Sequence, residues 1–312
     1  MPALTMARRQ VRELVEGIER WFFAPADPRA YVALRTAFGV TALSVLVDLW
    51  PIRLSLLGES GMFGAAPSRG LPFLDVFSVA RSDAAVTAVF VLAAAAAVSL
   101  VLGFLPRVSA FVIYCWAASY TGAAPIAQSG FDTILRVVGF ALVVGPKVET
   151  RRMWKMMPGA PPPPAYGLRL VQWQLMLIYI CTAWLKAPDE FWRNGEAISY
   201  FWMSMFSRFP SPVFSHFGVL GAVLTYSTLL IEISLPFLLW MRRTRWLGVF
   251  LGCALHVGIA MTSKLALFSL AITSLYLAFF ERGDFDRVTE WLGRRPASAT
   301  AGAQSLPVRT TQ

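Results

Sequence analysis

Three ionisable side chains stand among apolar neighbours that leave them little water. Lys186 closes the run Tyr179-Ile-Cys-Thr-Ala-Trp-Leu-Lys186, and Asp189, Glu190, Trp192 and Gly195 follow it. Loss of water disfavours an ammonium ion, so an amine held there can act as a base. The plainer alternative is a lysine whose head snorkels outward from a helix end. His256, in Cys253-Ala-Leu-His-Val-Gly258, is either a core histidine bonded to a neighbouring helix or a proton relay or donor to a buried ligand. Glu232 precedes Pro236 by four residues in an apolar run. Its plain reading is a structural carboxyl, protonated or paired with His256 or an arginine. Asp132 and Arg136 have the spacing of a self-neutralising pair on one helix, and Arg35 and Arg169 stand where arginines anchor helix starts.

Other chemistries find little support. The sequence has no phosphate-binding glycine loop, no dinucleotide fingerprint, no HExxH and no GxSxG elbow. Cys115, Cys181 and Cys253 are isolated in apolar stretches and read as small packing residues, so neither a disulfide framework nor a metal site is expected. His216 is the second of only two histidines, too few for bis-histidine haem ligation of a multi-haem cytochrome.

The elements that must position these groups follow from composition. Of 312 residues, 56% are apolar and only 15% charged, with a mean hydropathy of +0.57. That is too few charges to cover a water-facing surface. The expectation is an all-α polytopic transmembrane bundle. Apolar runs near 30–50, 84–105, 109–125, 131–146, 166–186, 213–240, 245–262 and 265–280 give about eight spans. The sixth is long enough to tilt or break at Pro236.

With the N-terminus inside, internal segments carry 18 Lys and Arg against 6 in external ones. This bias predicts that both termini are cytoplasmic and that the loop after Lys186 is external. The net charge of +10 is therefore assigned to topology and anionic lipid headgroups, not to nucleic acid. Residues 1–27 place Val11, Leu14, Val15, Ile18, Trp21 and Phe22 at helical spacing, as in an interfacial helix. Residues 28–282 form the membrane domain and 283–312 a cytoplasmic, largely disordered tail. Pro158 and the run Pro161–Pro164 are expected to form a stiff spacer between two sets of four spans. The expected location is a bacterial inner (cell) membrane.

Three blocks resemble one known family. The stretch from Gln174 through Tyr179 to Lys186, then Trp192 and Gly195, is similar to the QxxIxYxxAxxxKL…WxxG segment of HTTM-domain proteins, which include the vitamin K-dependent γ-carboxylase. Leu229-Leu-Ile-Glu232-Ile-Ser-Leu-Pro236 is a second match, and Leu255-His256-Val-Gly-Ile leading to Phe268-Ser-Leu a third. Together they span roughly residues 28–282, in the family's order and separation. The resemblance implies a membrane enzyme using oxygen and a reduced quinone, menaquinone or a vitamin K-like species. Lys186 would stand in place of the lysine that deprotonates the quinol, and His256 would match a later histidine. Tyr179, Trp184, Trp192 and Glu232 would line the quinone site.

The chain departs from the carboxylase in two places. Its loop Gly122–Asp132 carries no histidine, and it ends soon after the eighth run, without the large extracytoplasmic domain that handles the protein substrate. The resemblance therefore implies either the quinone half of the chemistry alone, or a peptide, protein substrate or partner subunit recruited at the external face. The competing function is a non-enzymatic scaffold, immunity or assembly subunit that keeps the fold. A small-solute transporter is the third reading, suggested by intramembrane charge alone.

Overall fold

The computed structural model describes residues 2–64, 75–148, 150–152, 155–156, 159–212, 217–291 and 293. The expectations for Pro158, His216 and the tail from Arg294 fall outside these residues. The described chain is helical apart from a short two-stranded ribbon, Thr150–Arg152 with Lys155–Met156.

Helices α1 (Pro2–Phe22), α2 (Pro28–Leu49) and α3 (Arg53–Leu57) lead into α4 (Asp83–Leu102), α5 (Pro106–Ala123) and α6 (Gly130–Val144). Then follow α7 (Tyr166–Lys186), the short α8 (Glu190–Arg193) and α9 (Ala197–Met203), α10 (Gly218–Trp240), α11 (Arg245–Thr262), α12 (Ala266–Leu275) and α13 (Arg282–Trp291). A 3-10 turn, Tyr276–Phe279, extends α12. A helix thus occupies each of the eight apolar runs. Among the described residues five segments are long and apolar enough to cross a membrane: Pro28–Leu57, Asp83–Leu102, Tyr166–Lys186, Gly218–Trp240 and Arg245–Thr262. Leu230, Phe237, Phe250 and Val257 on α10 and α11 remain more than half exposed, a surface that suits lipid better than water. The fold is compatible with a multi-pass membrane protein.

Neighbours in sequence pack as neighbours in space, from α4 through α7 and from α10 to α12, while α7 lies against α10. Helix α12 closes the bundle by touching α2, α6 and α7. The core lies on this side, where Phe38, Phe90, Trp116 and Tyr120 are almost fully buried. The helices before and after the proline run therefore form one bundle. The proline run is no free spacer either. Ala26 N–H donates to the Pro163 carbonyl at 2.8 Å, Ala165 N–H to that of Ala24 at 2.8 Å, and Tyr31 Oη to that of Pro164 at 2.7 Å. Prolines offer carbonyls but no N–H, so the run is tied down through its acceptors.

Several polar positions differ from their sequence-based readings. Asp132 makes no ion pair with Arg136; it closes a capping box with Ser129 at the start of α6, accepting the Ser129 N–H at 2.7 Å. Arg35 is buried and packs on Gly103, whose φ of 84° ends α4 in a left-handed cap. A guanidinium is favoured there by the helix dipole. Residues 283–291, the start of the expected disordered tail, belong to helix α13. They are fixed by Arg29 Nη1 to Asp286 at 2.8 Å and by Arg245 Nη1 to Asp284 at 2.7 Å. On α1, Arg9–Glu13 and Arg12–Glu16 pair at one-turn spacing, while Val11, Leu14 and Ile18 stay exposed.

Candidate functional site

Helix α7 carries Tyr179 and Lys186 seven residues apart, so they share a face about 10 Å apart along its axis. Two polar groups are built on that face. In the first, Lys186 Nζ lies 2.6 Å from both Glu232 oxygens, and these are the hydrogen bonds each side chain makes. The side chains are 22% and 10% exposed. The Trp192 ring covers the ammonium at 4.4 Å from its centroid.

Local sequence explains how Trp192 reaches that place. Asp189 caps α8 by accepting the Trp192 N–H at 3.3 Å, so it is not the partner of Lys186. Gly195 then turns with φ of 76°, and a Cβ there would come within 3.0 Å of Ala222 on α10. Only glycine combines that conformation with that approach. Tyr226 Oη donates to the Arg193 carbonyl at 2.7 Å and locks the turn to α10. Helix α10 runs through Pro236, whose missing N–H is the one that would bond the Glu232 carbonyl, four residues back.

In the second group, Tyr179 Oη lies 3.0 Å from His256 Nε2 and 2.6 Å from Tyr276 Oη. All three residues are at most 3% exposed. His256 Nδ1 is buried with no partner. A neutral imidazole carries one donor and one acceptor, so in either tautomer one capability stays unspent. Phe268 leans on the imidazole at 5.9 Å between centroids. Gly252 leaves room for the Tyr276 hydroxyl, with which a Cβ would collide.

Comparisons with models of protein families, with curated proteins and with solved structures return no match.

Of the residues singled out from sequence, Lys186, Glu232 and Trp192 form one cluster, and Tyr179 with His256 the core of the other. Glu232 and His256 are both buried in the bundle, as expected, but among the described residues no direct hydrogen bond joins them. Helices α10 and α11 are neighbours, but each acidic or basic group finds its partner on α7 instead. Trp184 does not wall the site: it is 79% exposed. It precedes Lys186 by two residues, about 200° around the helix, and so faces away. Tyr276 was not anticipated, though a tyrosine within Leu275-Tyr-Leu-Ala278 needs a partner for its hydroxyl when buried. Among the described residues no cluster of His, Cys, Asp and Glu could hold a metal ion.

Proposed function

We propose that this chain is an integral membrane protein of about eight spans with both termini cytoplasmic, and that Lys186 and Glu232 form a proton-handling pair near its external face. The topology is supported by eight helices at the eight apolar runs and by the bias of Lys and Arg to one side. An impermeant thiol reagent should label Asn194→Cys in intact cells; labelling only after lysis would invert the topology.

The observation that carries the function is the 2.6 Å contact between an amine and a carboxylate that have no other hydrogen-bond partners among the described residues. In water the ion pair would dominate. Removing water makes two charges costly and narrows the gap to the neutral amine and carboxylic acid. Nζ can then pass its proton to Glu232, and the freed amine accepts the next. The pair as a whole gains one proton.

A reduced quinone, as the HTTM resemblance suggests, would supply a weakly acidic hydroxyl and the reducing electrons, which the oxygen implied by the same resemblance would accept. The residues fit such a group: a partly exposed Lys186 beside the Trp192 ring face could meet its hydroxyl and its aromatic plane. The unspent Nδ1 of His256 offers one more polar contact deeper in the bundle. Enzymatic modification of a peptide or partner at the external face would follow from this chemistry.

The non-enzymatic reading is favoured by the closure of the ion pair, which could serve only to join α7 to α10. Two variants separate the readings. Lys186→Met removes the titratable amine, and Lys186→Arg keeps a charge that does not release its proton near neutral pH. An enzyme loses quinol oxidation in both, by about 100-fold or more. In a scaffold, arginine preserves whatever the protein does and methionine alone weakens it. The measurement is quinol oxidation by purified wild type and both variants at matched amounts, alongside identification of co-extracted quinones. Full activity in Lys186→Met would remove the lysine from the chemistry.

A further inference from the structure

A cavity of about 470 Å³ lies at the other end of the bundle from Lys186. It exists because the helix ends there are not flush. Trp240, the last residue of α10, packs against Trp173 (6.1 Å between centroids), seven residues into α7. The recess left below is walled by Trp21, Arg169, Gln172, Arg242, Arg245 and Glu281.

Charge is unevenly spent in this recess. Arg245 donates to Glu281 at 2.8 Å and Asp284 at 2.7 Å, and Arg242 pairs with Glu281 at 2.9 Å. Arg169 has no carboxylate within 4 Å among the described residues. Its Nη1 donates to Gln172 Oε1 at 2.8 Å, its Nε is buried without a partner, and its guanidinium lies 4.5 Å from the Trp21 ring centroid. Gln172 in turn donates to the Ala278 carbonyl at 2.7 Å, which holds its oxygen towards Arg169. A guanidinium with unused donors in a recess of ligand size suits a phosphate.

A second cavity, about 380 Å³, shares Trp240 with the first. It is an apolar groove lined by Trp173, Met176, Pro236, Phe237 and Met241. Phe237 and Met241 are more than half exposed, so the groove opens on the lipid-facing flank. A polar recess that adjoins an apolar groove across Trp240 matches an amphiphile better than a soluble anion. Basic recesses between helices on the cytoplasmic side are where anionic headgroups bind.

We propose that the two cavities together bind one anionic phospholipid, its phosphate on Arg169 and an acyl chain along the groove beside Pro236. The proposal does not depend on the chemistry assigned to Lys186.

The full chain, purified in mild detergent, is offered phosphatidylglycerol or phosphatidylcholine, and bound lipid per protein is counted by native mass spectrometry. Phosphatidylglycerol should be retained about tenfold better, the loss of one charge-assisted contact being worth about that factor. Arg169→Gln should erase the preference, while Arg81→Gln at the opposite end should keep it. Met176→Trp, which fills the groove, should lower retention of phosphatidylglycerol without touching the arginine, and it decides the matter if Arg169→Gln does not fold. Equal retention of both lipids, or a preference unchanged in Arg169→Gln or retention unchanged in Met176→Trp, would overturn the proposal. Displacement of phosphatidylglycerol by millimolar inorganic phosphate would also overturn it, in favour of a soluble phosphate.

Discussion

Two groups of opposite charges among the described residues are built on different terms. At one end, Asp284 accepts from Arg245 Nη1 at 2.7 Å, Trp246 Nε1 at 3.0 Å and the Glu281 N–H at 2.9 Å. Burial disfavours its charge, yet these donors outweigh it and hold the carboxyl below its usual range. Arg245 is likewise shared between two carboxylates. At the other end, Glu232 has Lys186 and Lys186 has Glu232, with one tryptophan ring over the amine. A carboxylate held by several donors, one of them backbone, stays ionised. One held by a single amine can be neutralised by moving one proton. The first arrangement is suited to fastening α13 to α11, and the second to exchanging protons.

Three perturbations test that contrast, in descending order of effect. Arg245→Met should be the most damaging, costing about 3–5 kcal/mol, because the buried Asp284 loses the cation that donates to it, while Glu281 keeps Arg242. Unfolding in detergent by denaturant titration would read it, and a cost near zero would deny the network its fastening role. Glu232→Gln should cost about 3 kcal/mol when Lys186 is left charged. The double variant Lys186→Met with Glu232→Leu should recover most of that, since neither charge remains to be desolvated. A double variant no more stable than Glu232→Gln would mean that the pair itself holds the fold. The smallest effect, about 1–2 kcal/mol, is expected from Gly195→Ala, which strains a left-handed turn and displaces Trp192. It should disturb the Lys186 end alone, seen as a change in tryptophan fluorescence without loss of the Arg245 network.

The same contrast has a pH signature. The folded-state carboxyl of Asp284 lies below its ordinary value, so its contribution to stability is present above about pH 4 and is lost as pH falls through the folded value. Asp284→Asn should lower stability at neutral pH and flatten the acid limb of the wild-type profile. An unchanged acid limb would assign acid sensitivity to other carboxylates.

The helices could be read from the sequence because the runs are apolar and most are near the length that a bilayer would require of a span. The ionisable residues were legible for the same reason, since charges are rare in such runs. Their pairing was not, because it depends on which helices touch. A short loop identified α10 and α11 as neighbours, but nothing local said that α7 packs against α10 and α12, and α7 supplies the partners of both Glu232 and His256. Two misreadings were avoidable. The two-residue offset of Trp184 from Lys186 already set it on the far side of α7, and Ser129-Gly-Phe-Asp132 carried a capping pattern. The anchoring of Pro161–Pro164 was out of reach, since it rests on backbone bonds to residues more than a hundred positions away.

Infrared difference spectroscopy of the purified protein tests the proton-sharing pair most directly. On addition of a reduced quinone, the wild type should gain a carboxylic-acid carbonyl band as Glu232 takes the proton released by Lys186. Glu232→Gln should lack that band. A wild-type spectrum with no change in the carboxylic-acid region, or the same change in Glu232→Gln, would contradict proton exchange and leave Lys186 and Glu232 as a fixed link between two helices.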